Sequence, residues 1–317
     1  MRFKNCALKI FHSIFDFTPN KKTVVTLGTF DGVHIGHKKI IEKLLQSSDE
    51  TDSESLVLTF FPHPRMVLQE SSEIQLLNTL DEKIELLGRT GLDNLIIHPF
   101  DETFSRLTAE EFVSKILVDQ FNIRKIIIGY DHRFGRNRTA NIDDLTVFGQ
   151  EYGFEVEQIS AQEVDAVSVS STKIRKALLE GHMKLANEYL GYPYLLTGTV
   201  VKGKQLGRTI GFPTANIQIA ENYKLIPKIG VYVVRSMIDG QTVFGMMSIG
   251  TNPTVNGDSV TIEVHFFDFN ADLYGQEMEI SILEYLRDEE KFESLDALKT
   301  AIANDQTASL EFLRTLL

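Results

Sequence analysis

The chain has 317 residues, 43% hydrophobic and 24% charged, with a formal net charge of -12. No uninterrupted apolar run is long enough for a bilayer, and the acidic balance argues against broad nucleic-acid binding, which needs basic surface to displace counterions. Cys6 is the only cysteine, which excludes an internal disulfide and a cysteine-built zinc site.

The opening "MRFKNCALKIFHSIF" interrupts its apolar positions with Lys, Asn and His, unlike a secretory signal, so a cytoplasmic protein is expected. From Lys22 to about Gly191, short β-branched runs alternate with amphipathic segments. The runs are "KTVVTLG", "SLVLTFF", "NLIIHPF", "RKIIIGY" and "FEVEQIS", and the segments between them are "HKKIIEKLLQS", "LDEKIELLGRTG", "TAEEFVSKILVDQFN" and "DDLTVFGQEYG". Strand then helix, repeated, predicts an α/β fold with a mostly parallel sheet covered on both faces.

The stretch "TFDGVHIGHKKII", Thr29 to Ile41, leaves the first of these runs and opens the first helix. In an α/β sheet that place is the ligand crevice, and free N–H groups at the helix start suit a phosphate. A metal is disfavoured at His34 and His37, because a zinc-binding helix would place histidines four apart. Simple helix capping accounts for the pair equally well. Further on, "VSSTKIRKALLEG" from Val169 to Gly181 has N-cap types at Ser170, Ser171 and Thr172 and a stop at Gly181. Capping explains these too, while Arg175, one turn into the helix, is placed to reach a phosphate held at its start.

The boundary is expected near "EYLGYPYLL", giving domains over 1–188 and 189–317. Beyond it come "LLTGTVVKG", "GVYVVRSMI", "QTVFGMMSIG", "VTIEVHFFDF" and "EMEISILEYL", with Asp239-Gly240 and Asn256-Gly257 reading as hairpin turns. This half predicts a small antiparallel barrel or sandwich, closed by one helix over about Ser294 to Leu316 with Leu295, Leu298 and Ile302 on one face. Gly198, Gly203 and Lys204 have P-loop spacing, but Gln205 stands where Ser or Thr is required and no helix pattern follows.

Taken together, "TFDGVHIGHKK" resembles the His-x-Gly-His signature of nucleotidyltransferases. "FFPHPR" (Phe60 to Arg65) and "GYDHRFGRNR" (Gly129 to Arg138) are similar to the flavin-adenylylating domain of the bacterial bifunctional riboflavin kinase/FMN adenylyltransferases, and "GKQLGRTIGFPTANI" looks like the flavokinase signature. The resemblance implies a Rossmann-like nucleotidyltransferase domain followed by a kinase barrel. In the first domain it implies catalytic roles for His34, His37 and Arg175. It places ATP phosphates against Gly28, Phe30, Asp31, Gly36, Asp131, Ser170, Ser171 and Thr172, and flavin against Phe61, Pro62, His63, Pro64 and Arg65. In the barrel it implies Gly203, Gly207, Arg208, Gly211, Phe212 and Pro213 for ATP and flavin, Thr214 and Asn216 for Mg2+, and Glu263 as general base. Asp131 stands where some members have Asn, His132 where Phe is common and Ser248 where Asn is frequent.

The activity so implied is phosphorylation of riboflavin to FMN and adenylylation of FMN to FAD, with ATP as donor in both. The expected partners are these small molecules, with no nucleic acid and no membrane, in a monomer or weak homo-oligomer. Two alternatives stay open: an adenylyltransferase whose barrel only binds flavin, and a silent flavin-binding regulator.

Overall fold

A computed structural model describes residues 7–68, 74–129, 133–136, 139–159, 169–203, 206–254 and 257–316. Cys6, Asp131, His132, Lys204, Gln205 and Asn256 lie outside the described residues. The chain divides into two compact units, one of Met1–Leu76 with Leu80–Ser170, the other of Leu77–Thr79 with Ser171–Leu317.

The first unit is built on a parallel sheet. Its strands are β1 (Lys9–Phe11), β2 (Thr23–Leu27), β3 (Glu54–Phe60), β4 (Asn94–His98), β5 (Ile123–Gly129) and β6 (Glu155–Ile159), in the order β1-β4-β3-β2-β5-β6. Every residue of β2 and of β4 is buried, which is why these runs are apolar on consecutive positions and do not alternate. The short edge strand β1, with Lys9 and Ile10 exposed, carries no such pattern and was not expected from the sequence. The segment expected as an ordinary helix over 108–122 begins with a Thr108–Glu111 capping box and then winds as a π-helix over Phe112–Gln120. From β2 the chain proceeds to β3 on one side, while β5 lies on the other, so the crevice outside the carboxyl ends of β2 and β5 is a topological switch point.

The second unit is a closed antiparallel barrel. Strands β7 (Tyr194–Val201), β8 (Ala215–Gln218), β9 (Gly230–Ile238), β10 (Gln241–Thr254), β11 (Gly257–Phe266) and β12 (Glu277–Arg287) follow one another as β10-β11-β8-β7-β12-β9. The β9–β10 turn has positive φ at both central residues, Asp239 (49°) and Gly240 (76°), as a two-residue hairpin requires. The helices Ser171–Glu180 and Met183–Leu190 group with this unit, so the compact units part earlier than the sequence division at 188. Asn187 supplies one reason: its amide donates to the carbonyls of Ile282 (3.0 Å) and Leu283 (3.3 Å) and accepts the Tyr194 N–H (2.8 Å). Leu77–Thr79 also belongs here. The buried Lys224 ammonium lies over the Tyr194 ring and donates to the Leu77 carbonyl (2.7 Å), and the Asn78 amide donates to the Tyr192 hydroxyl (3.3 Å).

The C-terminal helix Leu295–Arg314 is capped by Ser294, whose hydroxyl accepts the Ala297 N–H at 3.1 Å. The face that packs is the expected one, with Leu298 and Ile302 half-buried, except at its first turn. Leu295 is 58% exposed, and the buried side runs through Asp305, Ser309 and Leu313, with Ile302 packed beside Leu313. That face is also pinned by a fork-to-fork ion pair: Arg287 of β12 donates through Nε and Nη2 to the two carboxylate oxygens of Asp305, each at 2.7 Å. Removing one partner leaves a shielded charge uncompensated. Asp305→Ala should therefore cost about 3 kcal/mol, lowering the urea midpoint at unchanged m-value. An unchanged midpoint would show the helix to be held by its apolar contacts alone.

Candidate functional site

Each unit carries a constellation at the place the sequence motifs pointed to. In the first, β2 runs through Gly28 into a tight turn, Thr29 to His34, before the helix Ile35–Glu50. The turn is strained: Phe30 (φ 48°) and Val33 (φ 34°) both adopt the left-handed region, the latter unusual for a β-branched residue. Strain of this kind persists where the surroundings over-determine the backbone, and such places cluster at functional sites. Phe30 and Val33 are buried, and the Phe30 ring packs on His37 at 5.1 Å between centroids.

His34 is the N-cap of that helix, its Nδ1 accepting the His37 N–H at 3.4 Å. Capping and ligand binding, alternatives in the sequence, are therefore compatible, because one nitrogen caps and the other is left. Acceptance at Nδ1 puts the His34 proton on Nε2, which becomes the donor for a ligand. The two imidazoles stack at 3.6 Å with planes 16° apart. His37 Nδ1 is buried without a hydrogen-bond partner. Gly36, between the two histidines, is buried in the first turn.

Burial dominates the electrostatics. It pushes the His34 pKa down to about 4 against a weak opposing hydrogen bond, and holds His37 well below the usual imidazole range, with the charges of His34 and Lys83 acting in the same sense. Both rings are thus neutral donors at neutral pH. Since the folded pKa of His34 is depressed, its contribution to stability is complete above about pH 6.5 and is lost as pH falls toward about 4, at most roughly 3 kcal/mol. His34→Asn, which keeps a cap but does not titrate, should flatten that part of the melting-temperature profile; an unchanged acid slope would assign it to other groups.

Lys83 was missed by the sequence reading. It lies on the helix Leu80–Gly88, is 3% exposed, and donates to the Thr29 carbonyl at 2.9 Å, which also receives the Thr59 hydroxyl at 3.2 Å. The signal was there, since Lys83 falls on the apolar stripe of Leu80 and Leu87. Asp31, placed with the phosphates by the resemblance, is buried and bears electrostatically on Lys83.

After β3, Phe61 to Arg65 leads into the short helix Pro64–Leu68. The buried His63 accepts the Arg65 N–H at Nδ1 (3.1 Å), and the Phe61 N–H donates to the His98 carbonyl (3.2 Å), so this loop is tied to the end of β4. Ser171, Thr172 and Arg175 stand in the first turns of their helix, which is anchored by buried Ile174, Ala177 and Leu178.

In the barrel, strand pairing assembles residues far apart in sequence. β8 pairs with β11 so that Asn216 faces Glu263, and Thr214, just before β8, donates its hydroxyl to the Glu263 carboxylate at 2.9 Å. The expected alternation in β11 holds, with Ile262, Val264 and Phe266 buried and Glu263 and His265 half-buried. His265 Nδ1 meets the Pro213 carbonyl at 2.8 Å and its ring meets Phe212, which fixes the approach to Thr214. Two glycines are required by close approach: a Cβ on Gly203 would overlap the Asn216 amide, and one on Gly207 the Phe212 carbonyl. Gly211, at φ 90°, adds a turn that only glycine adopts easily. Arg208 is exposed, on a four-residue helix, Leu206–Thr209, that the sequence reading of this half did not include.

Among the described residues no group of three His, Cys, Asp or Glu side chains forms a metal cage. Thr214, Asn216 and Glu263 instead offer hard oxygens, and Gly203 lets the chain pass directly against the Asn216 amide. That donor set suits magnesium, which takes few protein oxygens and retains water and phosphate ligands.

A family profile described as FAD synthetase matches residues 16–173, and one described as riboflavin kinase matches residues 190–313. The chain is 38% identical to the bifunctional riboflavin kinase/FMN adenylyltransferase of Listeria monocytogenes, over 92% of this chain and 93% of that protein. It is 35% identical to the Escherichia coli K12 protein of the same name, over 96% and 98%. A crystal structure of a Streptococcus pneumoniae protein named as a macrolide-efflux protein superposes with a TM-score of 0.87 at 32% identity, covering 96% of this chain and 98% of that one. In this chain no helix among the described residues is long and apolar enough to cross a membrane.

Proposed function

The chain belongs to the bifunctional riboflavin kinase/FMN adenylyltransferase family, and from that premise we propose that each unit carries one of the two reactions. The enzyme phosphorylates riboflavin to FMN and adenylylates FMN to FAD, using ATP in both steps.

In the barrel, the ribityl hydroxyl of riboflavin gives its proton to Glu263 as its oxygen forms a bond to the γ-phosphorus of ATP; the bond from that phosphorus to the bridging oxygen breaks, and ADP leaves. The observation that carries this assignment is the Thr214–Glu263 hydrogen bond with Asn216 paired opposite. A hydroxyl whose hydrogen is taken up by Glu263 has its lone pairs left for a cation, so Thr214 and Asn216 would hold Mg2+, which supplies charge neutralisation at the phosphates when bound. Gly203 and Gly207 let this segment fold closely on Asn216 and Phe212, Gly211 supplies its turn, and Phe212 and Pro213 border the flavin.

In the first unit, a phosphate oxygen of FMN attacks the α-phosphorus of ATP and pyrophosphate departs. No covalent enzyme intermediate is required, so positioning and electrostatics supply the rate. His34 and His37 donate N–H groups to the phosphates at the switch-point crevice, where Gly28 and Gly36 leave room, and the Phe61–Arg65 loop takes the flavin. Of the further phosphate ligands that the family likeness implies, Ser170 groups with this unit, whereas Ser171, Thr172 and Arg175 group with the barrel. ATP-dependent cofactor synthesis agrees with a cytoplasmic location.

The test is chromatographic. Purified protein given riboflavin and Mg-ATP should yield FMN and FAD, and given FMN should yield FAD. FAD from FMN alone would reduce the protein to an adenylyltransferase, and no turnover by folded, flavin-binding protein would make it a regulator.

A further inference from the structure

We propose that Lys83 is a positioning residue for adenylyl transfer: its buried ammonium fixes the Thr29–His34 turn through the Thr29 carbonyl and sets a positive charge beside the two imidazoles. The proposal rests on the reading of the first unit as the adenylylating one.

A lysine 3% exposed needs an explanation, because an ammonium taken from water is costly unless paired and hydrogen-bonded. Lys83 has one of each: the Thr29 carbonyl at 2.9 Å and the buried carboxylate of Asp31 as the opposite charge. Stability alone does not account for the arrangement, since apolar replacement of such pairs is often neutral or favourable. What the arrangement does provide is a clamp. Lys83 and Thr59 together hold the carbonyl at the entrance to a turn containing two non-glycine residues with positive φ. Without such a hold the turn has easier conformations available, and in those His34 would not cap the helix.

The charge has a second effect. His34 caps only while its Nδ1 is unprotonated, and two rings stacked at 3.6 Å cannot both carry charge cheaply. Lys83 helps to keep His37 neutral, behind burial and the effect of His34. The titratable groups concerned are Asp31 in the turn, His34 and His37 on the following helix, and Glu82, buried next to Lys83 on its own helix. Burial pushes Lys83 itself down to about 8, against the opposing pull of Asp31. It is therefore mostly charged at neutral pH and discharges in the free enzyme as pH rises through about 8.

The experiment is the pH profile of kcat/KM for ATP in FMN adenylylation, which reports the free enzyme, for the wild type and for Lys83→Gln. Glutamine removes the charge and retains an N–H donor, one chain atom shorter than the ammonium. The wild type should lose activity above about pH 8. Lys83→Gln should be about 10²-fold slower at neutral pH, lack that alkaline limb and begin its acid limb at higher pH, while phosphorylating riboflavin at the wild-type rate. Lys83→Gln at the wild-type rate with an unchanged profile overturns the proposal. If the wild type makes no FAD at all, the adenylylation reading fails first and the proposal falls with it.

Discussion

Glu263→Gln is expected to abolish most FMN formation, by about 10² to 10⁴-fold in kcat, the range that a positioned general base contributes. Glutamine preserves the shape of the side chain and a carbonyl to accept the Thr214 hydroxyl, so the β8–β11 pairing and the barrel should survive. FAD formation from supplied FMN should be unchanged, because that chemistry is assigned to the other unit. The measurement is initial rates of both reactions on the same preparation. A kinase rate within about tenfold of wild type would move the base elsewhere, and loss of both activities by folded protein would overturn the assignment of one reaction to each unit.

The reciprocal variant, His34→Ala, should lose about 10²- to 10³-fold in FAD formation, the cost of removing a preorganised donor from developing phosphate charge. It also removes the cap from the helix Ile35–Glu50, costing about 1 kcal/mol of stability. His34→Asn separates the two effects, since it restores the cap without restoring the imidazole. Both variants should phosphorylate riboflavin normally. Recovery of FAD synthesis in His34→Asn would mean that His34 acts through the helix end and not through its ring.

Much of the architecture was legible because its physical causes are local. The continuous apolar runs of β2 and β4 reported a sheet covered on both faces, and the Asp239-Gly240 turn reported a hairpin. The histidine pair was legible from its place between strand and helix. What the sequence could not show was long-range pairing. The hydrogen bond between Thr214 and Glu263 spans 49 residues and exists only because β8 and β11 adopt one register. Lys83 left a signal in its place on the apolar stripe of Leu80 and Leu87, but its partner, the Thr29 carbonyl 54 residues away, is visible only in the fold. Leu295 misled only locally: it shares the stripe of Leu298 and Ile302 but stands in the first turn, where it is exposed, while the stripe below it packs and carries the Arg287–Asp305 pair.

The segment Leu77–Thr79 bears on how such an enzyme can be taken apart. The chain passes between its two compact units at three places, after Leu76, after Thr79 and after Ser170, where a simple tandem fusion would pass once. A fragment ending at Ser170 would carry Leu77 and Asn78 without Lys224 and Tyr192, to which they are bonded, and a fragment starting at Ser171 would leave the buried Lys224 ammonium without the Leu77 carbonyl. A single cut in the gene therefore does not yield two self-contained proteins. Dividing the activities is better done by point substitution in the intact chain, and an exchange of halves between relatives would have to carry those three residues along with the barrel.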